Sequence, residues 1–159
     1  AGVVGLGDRI GCTDVDVVRR VCRGDGRLVG PDRAIRLTDR SFADAGVGAA
    51  GDARDRLCWA ETETTNEFGT WRYLVAINTS HARVAITDRH ELGGEFLVYD
   101  WRASTAAPAT TVASTLEPRD WALFVLCPIE EHEGGRRALI GDTASYATMA
   151  PTRGADASP

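Results

Sequence analysis

The sequence predicts a mainly β protein, an antiparallel β-sandwich preceded by a single βα unit. Three observations predict it. From residue 57 onward the chain is a succession of short β-type runs with Gly, Pro, Asn and Asp between them and no helical periodicity. The first thirty residues have a different texture, one apolar strand followed by one helix. The composition is that of an ordinary globular domain, 43% hydrophobic and 26% charged over 159 residues, enough for a sizeable core.

In chain order, Val3, Val4 and Leu6 form a short apolar strand ending at Gly7-Asp8. Thr13 precedes Asp14 and Asp16, a hydroxyl cap followed by acids in the first turn, because free N–H groups and the helix dipole favour oxygen and negative charge there. Val15, Val18 and Cys22 then share one face at helical spacing, with Val17 and Val21 beside them, until Gly24-Asp25-Gly26 stops the helix. Residues 43–55, "ADAGVGAAGDARD", are small, glycine-rich and unperiodic, and read as a loop. Strands follow over 57–62, 70–78, 82–87, 95–101, 110–116, 121–129 and 136–141. The strongest is 70–78, where Trp71, Tyr73, Val75 and Ile77 alternate with Arg72, Leu74 and Ala76. The expected divisions are residues 1–33 for the βα unit, 34–150 for the sandwich and 151–159 for a disordered tail.

The net charge of −5 argues against a nucleic-acid partner, which needs a concentrated basic patch. No apolar run reaches the roughly 20 residues that span a bilayer, so no membrane is expected. All 18 basic residues are arginine. Cys12, Cys22, Cys58 and Cys127 are widely spaced without a CxxC pair, so they read as free thiols in a reducing compartment, which favours the cytoplasm, and not as a metal site. His81, His90 and His132 fall in turns, away from one another. Gly5, Gly7 and Gly11 invite a dinucleotide-binding reading, but Asp14 and Asp16 stand where a phosphate would sit and no second βαβ unit follows, so no cofactor is expected. There is no GxSxG elbow for a nucleophilic serine.

A family resemblance rests on the order of several motifs. "GLGDRIG" gives a strand and turn, "GDG" with Leu28 and Asp32 follows the helix, and Leu37-Thr38 with Phe42 comes after. Later, "GEFLVYDWR" and "WALFVLCPI" look like paired strands, and "ALIGDTASYATM" like a closing strand and loop. In this order they resemble the C-terminal part of the raffinose-synthase and α-galactosidase-like glycoside hydrolases, over residues 1 to about 150. Gly7 stands where plant-type members carry Ser, and the stretch between Phe42 and Trp71 matches poorly.

The resemblance implies that residues 1–33 are the last βα unit of a (β/α)8 barrel and that the sandwich supports that barrel. It implies a retaining glycoside hydrolase or transglycosidase acting on α-galactoside-type sugars, with both catalytic aspartates upstream of Ala1. No catalytic residue is therefore expected in this chain, and the implied partners are carbohydrate and the remaining barrel. Asp8, at the rim where a barrel collects its active-site groups, is the first substrate-binding candidate, with Arg9 beside it. Trp71 and Trp121 read as core, whereas Trp101, just past a strand end, is the candidate for stacking on a sugar ring. The alternative is a stand-alone carbohydrate-binding or structural β-sandwich module without catalysis. Val4, Leu6, Val18 and Val21 are expected to be sticky where no neighbour covers them.

Overall fold

The computed structural model describes residues 14–22, 26, 28–39, 41, 57–81 and 83–149, with the backbone alone described at 57 and 84–91. The first apolar strand, Asp8, Arg9 and the tail 151–159 lie outside the described residues. Within them the protein is mainly β, with one short helix, α1 (Val15–Val21). The strands are β1 (Arg36–Leu37), β2 (Leu57–Asn66), β3 (Gly69–Asn78), β4 (Val84–Asp100), β5 (Thr105–Leu116), β6 (Trp121–Cys127), β7 (Glu130–His132) and β8 (Gly135–Arg137).

The first six strands make one antiparallel sheet in the order β1-β2-β3-β6-β4-β5, and β7 and β8 form a separate hairpin. The segments 95–101 and 121–129 lie side by side, with Leu97 opposite Cys127 and Asp100 opposite Phe124. The two strands expected at 82–87 and 95–101 are one 17-residue strand, β4, whose register against β5 shifts twice, between Ile86 and His90 and between Glu91 and Phe96. Extra residues at such shifts bend and twist a strand. Gly93-Gly94 sits in the second shift, and the positive φ of 72° at Gly93 is one that a side chain would resist.

The bend closes the sheet on itself. Asn78, at the end of β3, donates its side-chain N–H groups to the carbonyls of Leu116 and Glu117, at 3.3 and 3.0 Å, although β6 and β4 lie between these strands in the sheet. The inner face holds one core of Trp59, Leu74, Leu92, Val112, Phe124 and Leu126. Period-two alternation puts Trp71, Tyr73, Tyr99, Leu123 and Val125 on the other face, which is also buried. Because both faces are covered, β6 reads "WALFVLC" without a polar residue, the pattern of a strand buried on both sides.

Residues 138–149 cover the outer face. The strand expected over 136–141 stops at Arg137, and the chain continues as an extended strap. Its backbone groups pair with aromatic side chains instead of a neighbouring strand. Trp71 Nε1 donates to Leu139 O at 2.7 Å, Trp101 Nε1 donates to Ser145 O at 2.9 Å, and the Tyr73 hydroxyl accepts Met149 N–H at 3.1 Å. Burial pushes the Tyr73 phenol pKa up. The strap turns at Asp142, which accepts the N–H of Ala144 and the hydroxyl of Ser145. Gly141 is required there: its φ is 92°, and a Cβ would lie 2.2 Å from Thr148 O.

The helix starts one residue later than the Thr13 cap implies. Asp14 is the N-cap, its carboxylate accepting Asp16 N–H at 2.9 Å. No residue of α1 is buried, and Val15 and Val17 are 56% and 41% exposed.

Candidate functional site

The sequence candidates scatter. Asp8 and Arg9 lie outside the described residues. Trp101 is half-buried, and its ring is already in contact on several sides. The Arg20 guanidinium of α1 lies over it at 4.6 Å from the ring centre. Tyr146 of the strap is 4.9 Å away and Trp121 is 6.3 Å away, while Arg102 covers Trp121 at 5.3 Å. Arg102 is itself held by Asp120 and by Trp121 O at 2.8 Å. The cluster joins three segments, since Tyr146 N–H also donates to Arg20 O at 3.2 Å. Its chemistry is that of an anchor: cations stacked on aromatic faces, fixing α1 and the strap to the sheet.

Trp59 and Trp71 are fully buried, in the inner and outer cores respectively. Cys22, Cys58 and Cys127 are free thiols, and burial pushes that of Cys127 up to about 12, which keeps it protonated and unreactive. His81 and His132 are exposed. Among the described residues no group of three His, Cys, Asp or Glu converges as metal ligands would.

Among the described residues, two open grooves hold polar groups. The first, of about 260 Å³, lies where the 33–36 segment crosses β2 and β3. Glu61 sits between two guanidinium groups, Arg36 at 2.7 Å and Arg72 at 3.3 Å, and Arg33 pairs with Glu63 at 2.9 Å. Partial burial raises the Glu61 pKa, but the hydrogen bonds and charges of Arg36 and Arg72 outweigh it and hold the carboxyl below its ordinary range. The ionic groups of this groove are satisfied by one another.

The second groove, of about 300 Å³, lies at the far end of the outer face from Trp101. Phe68, at the β2–β3 turn, lines it together with Pro128, Ala138, Leu139 and the fully buried Trp71. Glu130, His132 and Arg137 of the β7–β8 hairpin bring polar groups to the same space. Phe68 and Leu139 are 56% and 51% exposed. Phe68 is held there by its surroundings. Its N–H donates to the Asn66 side chain at 2.8 Å, the hydrogen bond of an Asx turn. Gly69, at φ 133°, packs so closely on Pro128 that an added Cβ would come within 3.0 Å of the proline ring. Trp71, pinned to Leu139 O, ties two of the lining residues together.

Neither groove was singled out from sequence. The hairpin tip "NEFG" carries the one available signal, an aromatic residue at a turn position where polar residues are usual. His132, expected in a turn, ends β7 and is exposed, as is Glu130; what the spacing does not reveal is that the hairpin folds beside Phe68. Comparison with protein-family models, with curated proteins and with solved structures finds no match to this chain.

Proposed function

We propose that this chain is the C-terminal region of a retaining glycoside hydrolase or transglycosidase of the α-galactosidase-like kind, acting on α-galactoside-type sugars. The curled sheet and its strap act as the C-terminal sandwich domain and support a catalytic barrel, whose last helix is α1. The observation that carries the reading is the contrast at α1. The sheet has both faces covered, whereas the helix buries no residue and presents Val15 and Val17 outward, attached through Arg20 to the Trp101 cluster. An amphipathic helix that leaves Val15 and Val17 exposed and Val18 and Val21 only half-covered, beside a sealed sheet, is what the edge of a larger α/β body presents. The motif order in the sequence supplies the family.

In this reading catalysis belongs to two aspartates of the upstream barrel, and the present chain contributes rigidity and, through Asp8, a rim contact to sugar hydroxyls. The test is an assay with p-nitrophenyl α-galactopyranoside of two polypeptides, this chain and a longer one that includes the sequence encoded upstream. Turnover is expected from the longer polypeptide alone, with retained anomeric configuration by NMR and a lower rate in its Asp8→Ala variant. Hydrolysis by the 159-residue chain itself would reject the reading. So would an upstream sequence that encodes no barrel. The open groove beside Phe68 favours the alternative, a carbohydrate-binding module without catalysis, and that second outcome would leave it standing.

A further inference from the structure

We infer that the groove between Phe68 and Leu139 is a binding site for one neutral pyranose ring, such as the exposed end of an oligosaccharide.

Phe68 is the exposed aromatic ring of this groove. A large apolar side chain left more than half exposed is ordinary on a mobile tip, but this one sits in a turn fixed by the Asn66 hydrogen bond and by the Gly69–Pro128 contact. The ring is thus presented outward by a rigid support, the arrangement that stacking on a flat ligand requires, since little side-chain freedom is lost on binding. The groove is amphipathic in a definite way. Phe68, Trp71, Pro128, Ala138 and Leu139 give it an apolar lining, while Glu130, His132 and Arg137 come from one hairpin. A pyranose matches this division: a C–H face for the aromatic ring, and hydroxyls that both donate and accept at its edge. Glu130 accepts, Arg137 donates, and His132 can do either.

Charge selects against other ligands. Glu130 and Arg137 offset each other, so neither an anion nor a cation gains a net attraction. Glu130 is engaged only by His132, at 3.5 Å between exposed side chains, and Arg137 makes no ion pair among the described residues. Both are therefore available to a ligand, unlike the mutually paired groups of the Glu61 groove. At about 300 Å³ the space is at the lower end of ligand pockets, roughly 300–1,000 Å³, and suits a single ring.

The inference extends the carbohydrate part of the proposed function and is independent of its catalytic part. It is tested on the 159-residue chain by calorimetric titration with methyl α-D-galactopyranoside, methyl α-D-glucopyranoside and raffinose, alongside an apolar dye. Amide shifts of Phe68 and Gly69 report the place of binding. Saturable binding of at least one glycoside is expected. Phe68→Ala should weaken it about tenfold or more, Phe68→Tyr should preserve it, and Glu130→Gln and Arg137→Met should each weaken it severalfold. Thermal melting checks that each variant is folded. Three outcomes would overturn the inference: no glycoside binds to saturation, the dye alone binds, or Phe68→Ala binds as tightly as the parent. None of these would alter α-galactoside turnover by a barrel-bearing polypeptide, so the two readings fail separately.

Discussion

The outer face of the sheet ends in two aromatic regions that differ in one respect. At one end Trp101, Trp121 and Tyr146 pack on one another beneath Arg20 and Arg102, and the Trp101 N–H is taken by Ser145 O. At the other end Trp71 is just as firmly tied, to Leu139 O, but Phe68 above it is left open to solvent. The strap 138–149 begins beside Trp71, reaches the Trp101 region at Ser145 and Tyr146, and returns to Tyr73 at Met149. The difference teaches where to look for binding. An aromatic side chain whose ring and N–H are already satisfied stabilises the fold; one held rigidly and left uncovered retains a free surface for a ligand.

Substitutions can break or sharpen this contrast. Trp71→Ala should have the largest effect, since it empties a fully buried site and frees the start of the strap. A loss of about 3–5 kcal/mol is expected in urea unfolding, with the risk that the protein does not fold at all. Trp101→Ala should cost less, about 2–3 kcal/mol, because the ring is half-buried and its neighbours can close on one another. Trp101→Phe separates the two contributions. It keeps most of the ring and removes the N–H, leaving the carbonyl of buried Ser145 unpaired, for about 1 kcal/mol.

Arg20→Ala should change global stability by about 0.5–1 kcal/mol, while hydrogen exchange at the amides of α1 accelerates markedly, because α1 has no buried residue to hold it once the stacked cation is gone. Phe68→Ala completes the series with a stability change within about 0.5 kcal/mol, as for a surface position. A large loss there would mean that Phe68 is part of the core after all.

A pH titration probes the Glu61 groove in the same spirit. The folded pKa of Glu61 is lowered from its ordinary 4.5. Ionised Glu61 therefore contributes stability that is present above the unfolded value and is lost as pH falls through the lower folded value. Unfolding free energy followed from pH 6 down to 2 should show this limb, and Glu61→Gln should flatten it relative to the parent (roughly this window, from the carboxylate range).

Much of the β architecture was legible in the residues. The alternation of "TWRYLVAIN" sorts β3 into two faces, and the unbroken apolar run of β6 marks a strand covered on both sides. Turn residues located the hairpin tips. Two things were not legible. The strands expected at 82–87 and 95–101 are one strand, because glycines in the middle of a β run are as compatible with a bulge as with a turn, and only the pairing to β5 decides which. The apolar residues of "ALIG" suggested another strand, but Leu139 O pairs with the Trp71 side chain, and further along the strap Ser145 O and Met149 N–H pair with Trp101 and Tyr73, contacts that no local pattern announces.

The candidate sites divide in the same way. Trp101 stood out because it follows a strand end, yet exposure depends on what else arrives there, and both Arg20 and Tyr146 arrive from more than forty positions away in sequence. Phe68 drew no notice because its value lies in a neighbouring hairpin that begins at Glu130.

By itself the sequence determined which residues alternate into two buried layers and where the β2–β3 and β7–β8 hairpins turn. Those are properties of spacing, and spacing is written in the chain. The tertiary structure alone decided that the sheet curls until Asn78 meets Leu116, that the strap is held by two tryptophan donors and a tyrosine acceptor, and that Phe68 rather than Trp101 keeps an open face. Each of these depends on contacts between distant segments, whose free energy comes from burying surface that neither segment covers alone.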